Sequence, residues 1–243
     1  ELRMRKSFGS KRSIKTAFIL GAGLGTRLRP LTDHCPKPLL PLGGRPIITY
    51  AMEHLRQAGI ERFIVNTHHC AAVYEEVFPD RIWRGVPIVF RHEPVLLDTG
   101  GGIKNIEDLL AEDEPLLVYN GDILTDIPLQ NLMERHFQAG AAATLALRSD
   151  GNPRNVNLDA EDYVCDLRHV LGNPGARACL FTGLYIVEKS LLAGIAPGVK
   201  QDIIPVFIAM IRARPRAVAG VIIDAGHWSD VGSPAIYRAL QDV

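Results

Sequence analysis

Glycines alternate in Gly21-Ala-Gly-Leu-Gly-Thr-Arg-Leu-Arg-Pro30. Such a backbone can approach a ligand closely and turn its N–H groups inward, which suits phosphate oxygens. Arg27 and Arg29 follow the glycines, and Lys37 follows in Pro36-Lys37-Pro38. These cations can neutralise a polyphosphate, and the flanking prolines hold the Lys37 backbone stiff and extended. Asn120-Gly121-Asp122 supplies a carboxylate, and Asp230 in Trp228-Ser-Asp-Val-Gly-Ser233 supplies a second. One or two carboxylates, completed by phosphate oxygens and water, are what Mg²⁺ uses. Each feature also has a plainer reading. The glycines can be a tight turn, the cations solvated surface charges, Asn-Gly-Asp a turn and Asp230 a helix cap. Two other phosphate loops fail on the residues. The dinucleotide pattern needs glycine where Thr26 stands, which disfavours a dinucleotide-dependent oxidoreductase, and the Gly-Lys-Ser/Thr of a Walker A loop does not occur here.

Positioning these residues requires a scaffold, and the hydrophobic pattern supplies one. Strands are predicted over 16–20, 62–66, 86–91 and 115–119, with helices over 47–57, 71–77 and 101–110. Asp98 and Thr99 are available to cap the last of these. Strands separated by helices imply right-handed βαβ units and a parallel sheet. In such sheets ligands sit beyond the carboxyl ends of the strands, where the glycine loop and Asp122 fall. After about residue 140, strands are predicted over 141–147, 163–167, 178–187 and 218–223, with helices over 202–212 and 234–241. The expected class is α/β: a Rossmann-like, mainly parallel sheet with helices on both faces and additional mixed strands in the C-terminal half around a pocket.

The composition narrows the function classes. Twenty-seven Lys+Arg balance 27 Asp+Glu, so the basic excess of a nucleic-acid or anionic-membrane binder is missing. Neither partner is expected. Apolar runs such as 203–211 fall short of the roughly 18 residues of a membrane helix. Cys35, Cys70, Cys165 and Cys179 form no C-x-x-C pair, and they fit reduced cytosolic thiols better than a disulfide framework. His68-His69 and His227 lack zinc spacing. The basic segment 1–15 has no apolar h-region and is no signal peptide. Residues 1–13 are expected to be a disordered extension or an artificial remnant, and 14–243 a single domain.

In combination the motifs are more specific. Gly-x-Gly-x-Gly-Thr-Arg-Leu-x-Pro-Leu-Thr, Pro-Lys-Pro-Leu-Leu-Pro, Asn-Gly-Asp, Phe181-Thr-Gly-Leu-Tyr-Ile186 and the 228–232 segment occur in one order. The chain resembles the sugar-1-phosphate nucleotidylyltransferases from about residue 15 onward. Glu93-Pro-Val-Leu-Leu-Asp-Thr-Gly-Gly-Gly-Ile103 is most similar to bacterial N-acetylmuramate-1-phosphate uridylyltransferases.

The resemblance implies attack by a sugar-1-phosphate oxygen on the α-phosphorus of a nucleoside triphosphate, with release of pyrophosphate. It implies Arg27, Lys37 and Asp122 as catalytic residues, and Mg²⁺ held by Asp122 and Asp230. Leu20, Gly21, Ala22, Gly23, Gly25, Thr26 and Asn120 would bind the nucleotide. Glu93, Thr99, Gly100 and Gly101 would surround its base and ribose. Asn155 and Gly183 would face the sugar phosphate. The lysine that many members place there is missing, and Arg168 or Lys200 would substitute. Residues 14–140 would form the nucleotide-binding half and 141–243 the sugar-binding half. UTP with a muramate-type sugar is the first expectation, and GTP with mannose or heptose 1-phosphate the alternative. A non-catalytic nucleotide-sugar sensor would be expected to have lost one of Arg27, Lys37, Asp122 and Asp230, and all four are present. A β-helix acyltransferase module is not expected. A cytoplasmic bacterial enzyme of cell-wall precursor synthesis, monomeric or a small homo-oligomer, completes the picture.

Overall fold

The computed structural model describes residues 12–241. Residues 1–11 of the expected N-terminal extension therefore lie outside the described residues. Arg12 is engaged, its guanidinium 2.7 Å from Glu188.

A ten-stranded sheet organises the chain. At its centre Leu116–Asn120, Thr16–Leu20, Arg62–Thr67 and Val86–His92 run parallel in that order. Strands of the C-terminal half extend it. Arg177–Val187 joins antiparallel to Leu116–Asn120 and carries Ala143–Arg148 and Arg154–Leu158, also antiparallel. Val218–Ile222 then adds parallel to Ala143–Arg148. The α/β class, with a parallel centre and mixed additions, is the expected one.

Successive strand residues point to opposite faces, and both faces are covered. Phe18, Ile64 and Val118 pack with Ile103 and Ile106 and with Ile203–Ile211 residues of the helix Ile203–Ala213. Ala17, Ile19, Phe63 and Val65 pack against Met52 and Leu55 of the helix Ile48–Gln57, Tyr74 of Ala72–Val77, and Leu132 of Leu129–Ala139. This two-sided burial explains the uninterrupted apolar runs of the central strands.

Two details differ from the expectation. The helix predicted over 101–110 spans Asp98–Lys104, with a separate 3₁₀ turn at Glu107–Leu109. Asp98 and Thr99 stand inside its first turn and do not cap it from outside. The helix Leu129–Ala139 was not anticipated. Its buried Leu129, Leu132, Met133 and His136 follow helical spacing, and Gly140 ends it at φ +58°.

A short antiparallel pair, Ile123–Thr125 with Trp228–Asp230, stands off the main sheet. It is anchored by a third apolar cluster containing Leu28, Leu40, Ile47, Val231 and Tyr237. Among the described residues no helix is long and apolar enough to cross a membrane.

Candidate active site

The carboxyl ends of the parallel strands open into a cleft of about 430 Å³. Leu20, Ala22, Gly23, Gly25, Thr26 and Arg27 form one wall. Lys37, Asn120, Gly121 and Asp122 form the floor, and Asp98, Thr99 and Lys200 stand at another side. Gly25 adopts φ +61°, and a side chain there would press on Thr32 and Lys37. Glycine therefore lets the loop turn tightly above the lysine.

At the floor, Lys37 is buried, with its ammonium 2.5 Å from Asp122 Oδ2 and 4.0 Å from Asp230 Oδ1. One ammonium thus spans both carboxylates, and these two oxygens lie at most about 6.5 Å apart. Backbone geometry draws the acids together. Asp230 pairs with Ile123 across the short ladder, and the Val231 N–H donates to the Asp122 carbonyl at 3.0 Å. Arg27 completes the cluster. A Cβ built on Gly232 would meet Arg27 Nη1 at 3.0 Å and both Asp230 carboxylate oxygens at 3.1 Å.

The acids fit a divalent cation. Asp230 Oδ1 is buried without a hydrogen-bond partner, a costly state for a carboxylate oxygen. Burial first, and the Asp122 charge second, push the Asp230 carboxyl above its ordinary value, against the opposing pull of Lys37 and Arg27. A cation between the two acids would relieve both causes. Among the described residues no cluster of three or more His, Cys, Asp or Glu is arranged for a metal. Two carboxylates completed by substrate oxygens and water suit Mg²⁺ in particular.

Asn66 is a cleft residue that the sequence reading missed. It is the penultimate residue of the strand Arg62–Thr67, and its Oδ1 accepts the Gly21 N–H at 2.7 Å. Its Nδ2 donates to Glu93 Oε1 at 2.8 Å, while Glu93 Oε2 accepts the Leu97 N–H at 2.9 Å. The glycine loop and the 93–97 segment are thereby tied through one buried relay. The only local signal was an amide at the carboxyl end of a buried strand.

Several of the expected site residues lie outside the lining of the main cleft. Glu93 is fully buried, and both of its oxygens are taken by Asn66 and Leu97, so it does not present an acceptor to a base. Gly21 lies beneath the cleft, where a Cβ would sit 2.6 Å from the Tyr74 hydroxyl. Gly100 and Gly101 face protein: both N–H groups donate to the Gln201 carbonyl, at 2.8 and 3.0 Å. Gly183, at φ +80°, backs onto Asn120. Asn155 and Arg168 line a different, smaller cavity, and of the sugar-phosphate candidates only Lys200 borders the main cleft. Thr99 borders it as well, and its hydroxyl reaches Asp202 at 3.2 Å. Residue type alone could not separate these inward roles from outward ones.

Comparison with known proteins agrees with this geometry. The family profile described as nucleotidyl transferase matches residues 16–243. A mannose-1-phosphate guanylyltransferase of Mycobacterium tuberculosis is 35% identical over 225 residues, covering 90% of this chain and 61% of the relative. The chain thus spans about three-fifths of that relative's length. An N-acetylmuramate alpha-1-phosphate uridylyltransferase of Neisseria meningitidis is 33% identical, covering 93% of this chain and 96% of the relative. A solved UDP-glucose pyrophosphorylase from Acinetobacter baumannii superposes with a TM-score of 0.76 at 19% identity, over 94% of this chain and 92% of that one. At that identity the superposition speaks for the fold.

Proposed function

Since the chain belongs to the nucleotidyl transferase family, we propose that it transfers a nucleoside monophosphate from a nucleoside triphosphate to a sugar 1-phosphate. The products are a nucleoside diphosphate sugar and pyrophosphate. The observation that carries this reading is the convergence of Lys37, Asp122, Asp230 and Arg27 beside the Gly21–Gly25 loop.

The chemistry follows from charge. A sugar phosphate is already an anion at neutral pH, so no strong general base is needed. The obstacle is bringing two polyanions together in line. The glycine-loop N–H groups orient the triphosphate. Arg27 sits over its phosphates, and the Lys37 ammonium, held by Asp122, stands where negative charge builds at the α-phosphorus. Lys200 serves the acceptor's phosphate from the opposite side. Asp122 and Asp230 would hold Mg²⁺, which supplies further charge neutralisation when bound. Residues up to about 140 serve the nucleotide and those beyond it the acceptor, within one domain.

Uridine with an N-acetylmuramate-type acceptor is the first reading, on the likeness of the Glu93–Ile103 segment and the Neisseria relative. Guanosine with mannose 1-phosphate is the second, supported by the mycobacterial relative. A pyrophosphate-release screen of UTP, GTP, CTP and dTTP against muramate, glucose, mannose and heptose 1-phosphates tests both. Release with UTP and muramate 1-phosphate is expected. A kcat/KM for GTP well above that for UTP reverses the order of the two readings, and no release with any pair removes both. The four thiols among the described residues are free, which supports a reducing, cytoplasmic setting.

A further inference from the structure

The turn between the strand Arg62–Thr67 and the helix Ala72–Val77 carries His68-His69-Cys70. It packs against the segment that leads from the glycine loop to Lys37. Cys70 Sγ lies 3.8 Å from the Asp33 carbonyl oxygen, and His69 Nε2 lies 2.7 Å from the Thr32 carbonyl oxygen. The Thr32 hydroxyl in turn donates to the Gly25 carbonyl at 2.8 Å. One run of contacts thus joins Cys70, His69 and Thr32 to the loop that walls the cleft.

Cys70 is placed for reaction. A carbonyl only accepts, so His69 Nε2 carries the hydrogen, and Nδ1 of the neutral ring holds a lone pair. Cys70 Sγ is 3.7 Å from Nδ1 and 3.3 Å from Nε2. The imidazole can take the thiol's proton at Nδ1 and keep an N–H beside the sulfur. Cys70 is half-buried, open to a small reagent. Its backbone holds φ +49°, which is uncommon for a residue with a Cβ and persists where the surroundings impose it. Among the described residues no other thiol meets an imidazole. Cys35 and Cys165 lie against the Pro36 and Asn157 carbonyls, and Cys179 is buried.

Cys35 is the second thiol of this surface. It follows Asp33 by two positions and packs on the same apolar cluster as Tyr74, which stands four positions beyond Cys70. Burial first, and the Cys70 charge second, push the Cys35 thiol up, so that it is held protonated.

We propose that Cys70 and Cys35 are a redox pair that a hydroperoxide converts to a disulfide, with His69 as the base, and that this bond loosens the glycine loop. The Cys70 sulfur, its proton passed to Nδ1, attacks a peroxide oxygen. The O–O bond breaks, the sulfur is oxidised to a sulfenic acid, and the departing hydroxide takes the Nδ1 proton as water. The Cys35 sulfur then attacks the Cys70 sulfur. The S–S bond forms, the S–O bond breaks, and the hydroxide leaves with the Cys35 proton as a second water. Turning the Cys70 sulfur toward Cys35 takes it from His69 and draws on the segment between Thr32 and Lys37. Thr32 thereby loses the hold that fixes Gly25. That the loop serves a triphosphate rests on the nucleotidyl-transfer reading, whereas the bond itself does not.

The full chain is treated with hydrogen peroxide, cysteine pairing is mapped by mass spectrometry of unreduced peptides, and UTP and GTP binding is measured by calorimetry before and after. A Cys35–Cys70 bridge should form ahead of any change at Cys165 or Cys179, and a thiol reductant should reverse it. The bridged protein should bind its nucleotide at least about tenfold more weakly. Cys70→Ser should keep its nucleotide binding under peroxide. In Cys35→Ser the sulfenic acid should persist on Cys70, where dimedone traps it. His69→Gln, which keeps a donor toward Thr32, should slow bridging at least about tenfold. Oxidation of Cys70 with no bridge to Cys35, a bridge that leaves nucleotide binding unchanged, or unslowed bridging in His69→Gln overturns the proposal. Pyrophosphate release is measured separately. A bridge that weakens nucleotide binding in a chain that releases no pyrophosphate upholds the redox pair and overturns the transfer reading.

Discussion

Lys37 and Asp122, 85 positions apart in sequence, form an ion pair at 2.5 Å on the cleft floor. The same ammonium lies 4.0 Å from Asp230. Lys37→Ala should lower kcat by at least about a hundredfold, the scale of losing one preorganised electrostatic contact in an active site. Lys37→Arg should recover only part of this, because a planar guanidinium cannot occupy the same point between two acids. Steady-state kinetics on both variants decides it. Near-normal turnover by Lys37→Ala would remove the residue from the mechanism.

Asp230 makes a prediction about pH. Its carboxyl is held above the ordinary range, mainly by burial and then by Asp122. The folded chain therefore keeps this proton to higher pH than the unfolded chain does, and stability declines as pH rises through that interval. Asp230→Asn removes the titration. In metal-free buffer the variant should melt higher than the wild type near neutrality, and the gap should close toward about pH 4. Added Mg²⁺ should raise the wild-type Tm more than the variant's. Thermal melts across that range, with and without the ion, are the measurement.

Asn66 links the glycine loop to Glu93. Asn66→Ala leaves the Gly21 N–H and a Glu93 oxygen without their partner, both buried. Each orphaned group costs about 1–3 kcal/mol, so urea unfolding should register a large loss. Activity that remains should show a raised KM for the triphosphate and a smaller change in kcat, since the loop's position is what moves.

Gly101 separates propensity from packing. In a helix, alanine is favoured over glycine by about 1 kcal/mol. Here an added methyl would overlap the Val199 carbonyl oxygen and crowd the Leu97 side chain. Overpacking of this kind costs about 1–3 kcal/mol, so Gly101→Ala should destabilise the protein in chemical denaturation. A stabilised variant would mean that the 199–202 segment is free to move aside.

The sequence made the scaffold legible where burial is two-sided. The runs at 16–20, 62–66 and 115–119 are continuous apolar stretches because helices cover both faces of those strands. The glycine loop, Lys37 and Asp122 were legible because each sits in a local motif beside a strand end. The relay through Asn66 was not, since a buried amide carries no periodicity and its partners lie 45 and 27 positions away. The type of Glu93 suits a contact to a base equally well as the buried bonds to Asn66 and Leu97 that it makes, and residue type does not reveal direction. Strands of three residues, such as Ile123–Thr125 and Trp228–Asp230, are too short for an alternating pattern to register.

That short ladder has a consequence for how the protein tolerates change. Asp122 and Asp230 are brought together by peptide groups, through the strand pairing and the Val231 N–H to Asp122 carbonyl bond. Peptide groups are common to every residue type except proline at the donor. The separation of the two acids is therefore insulated from mutational drift in the side chains between them. Ile123 and Leu124 answer to the apolar packing around them, but Ser229 can vary while the spacing persists, so the distance between the acids does not depend on which side chain stands between Trp228 and Asp230.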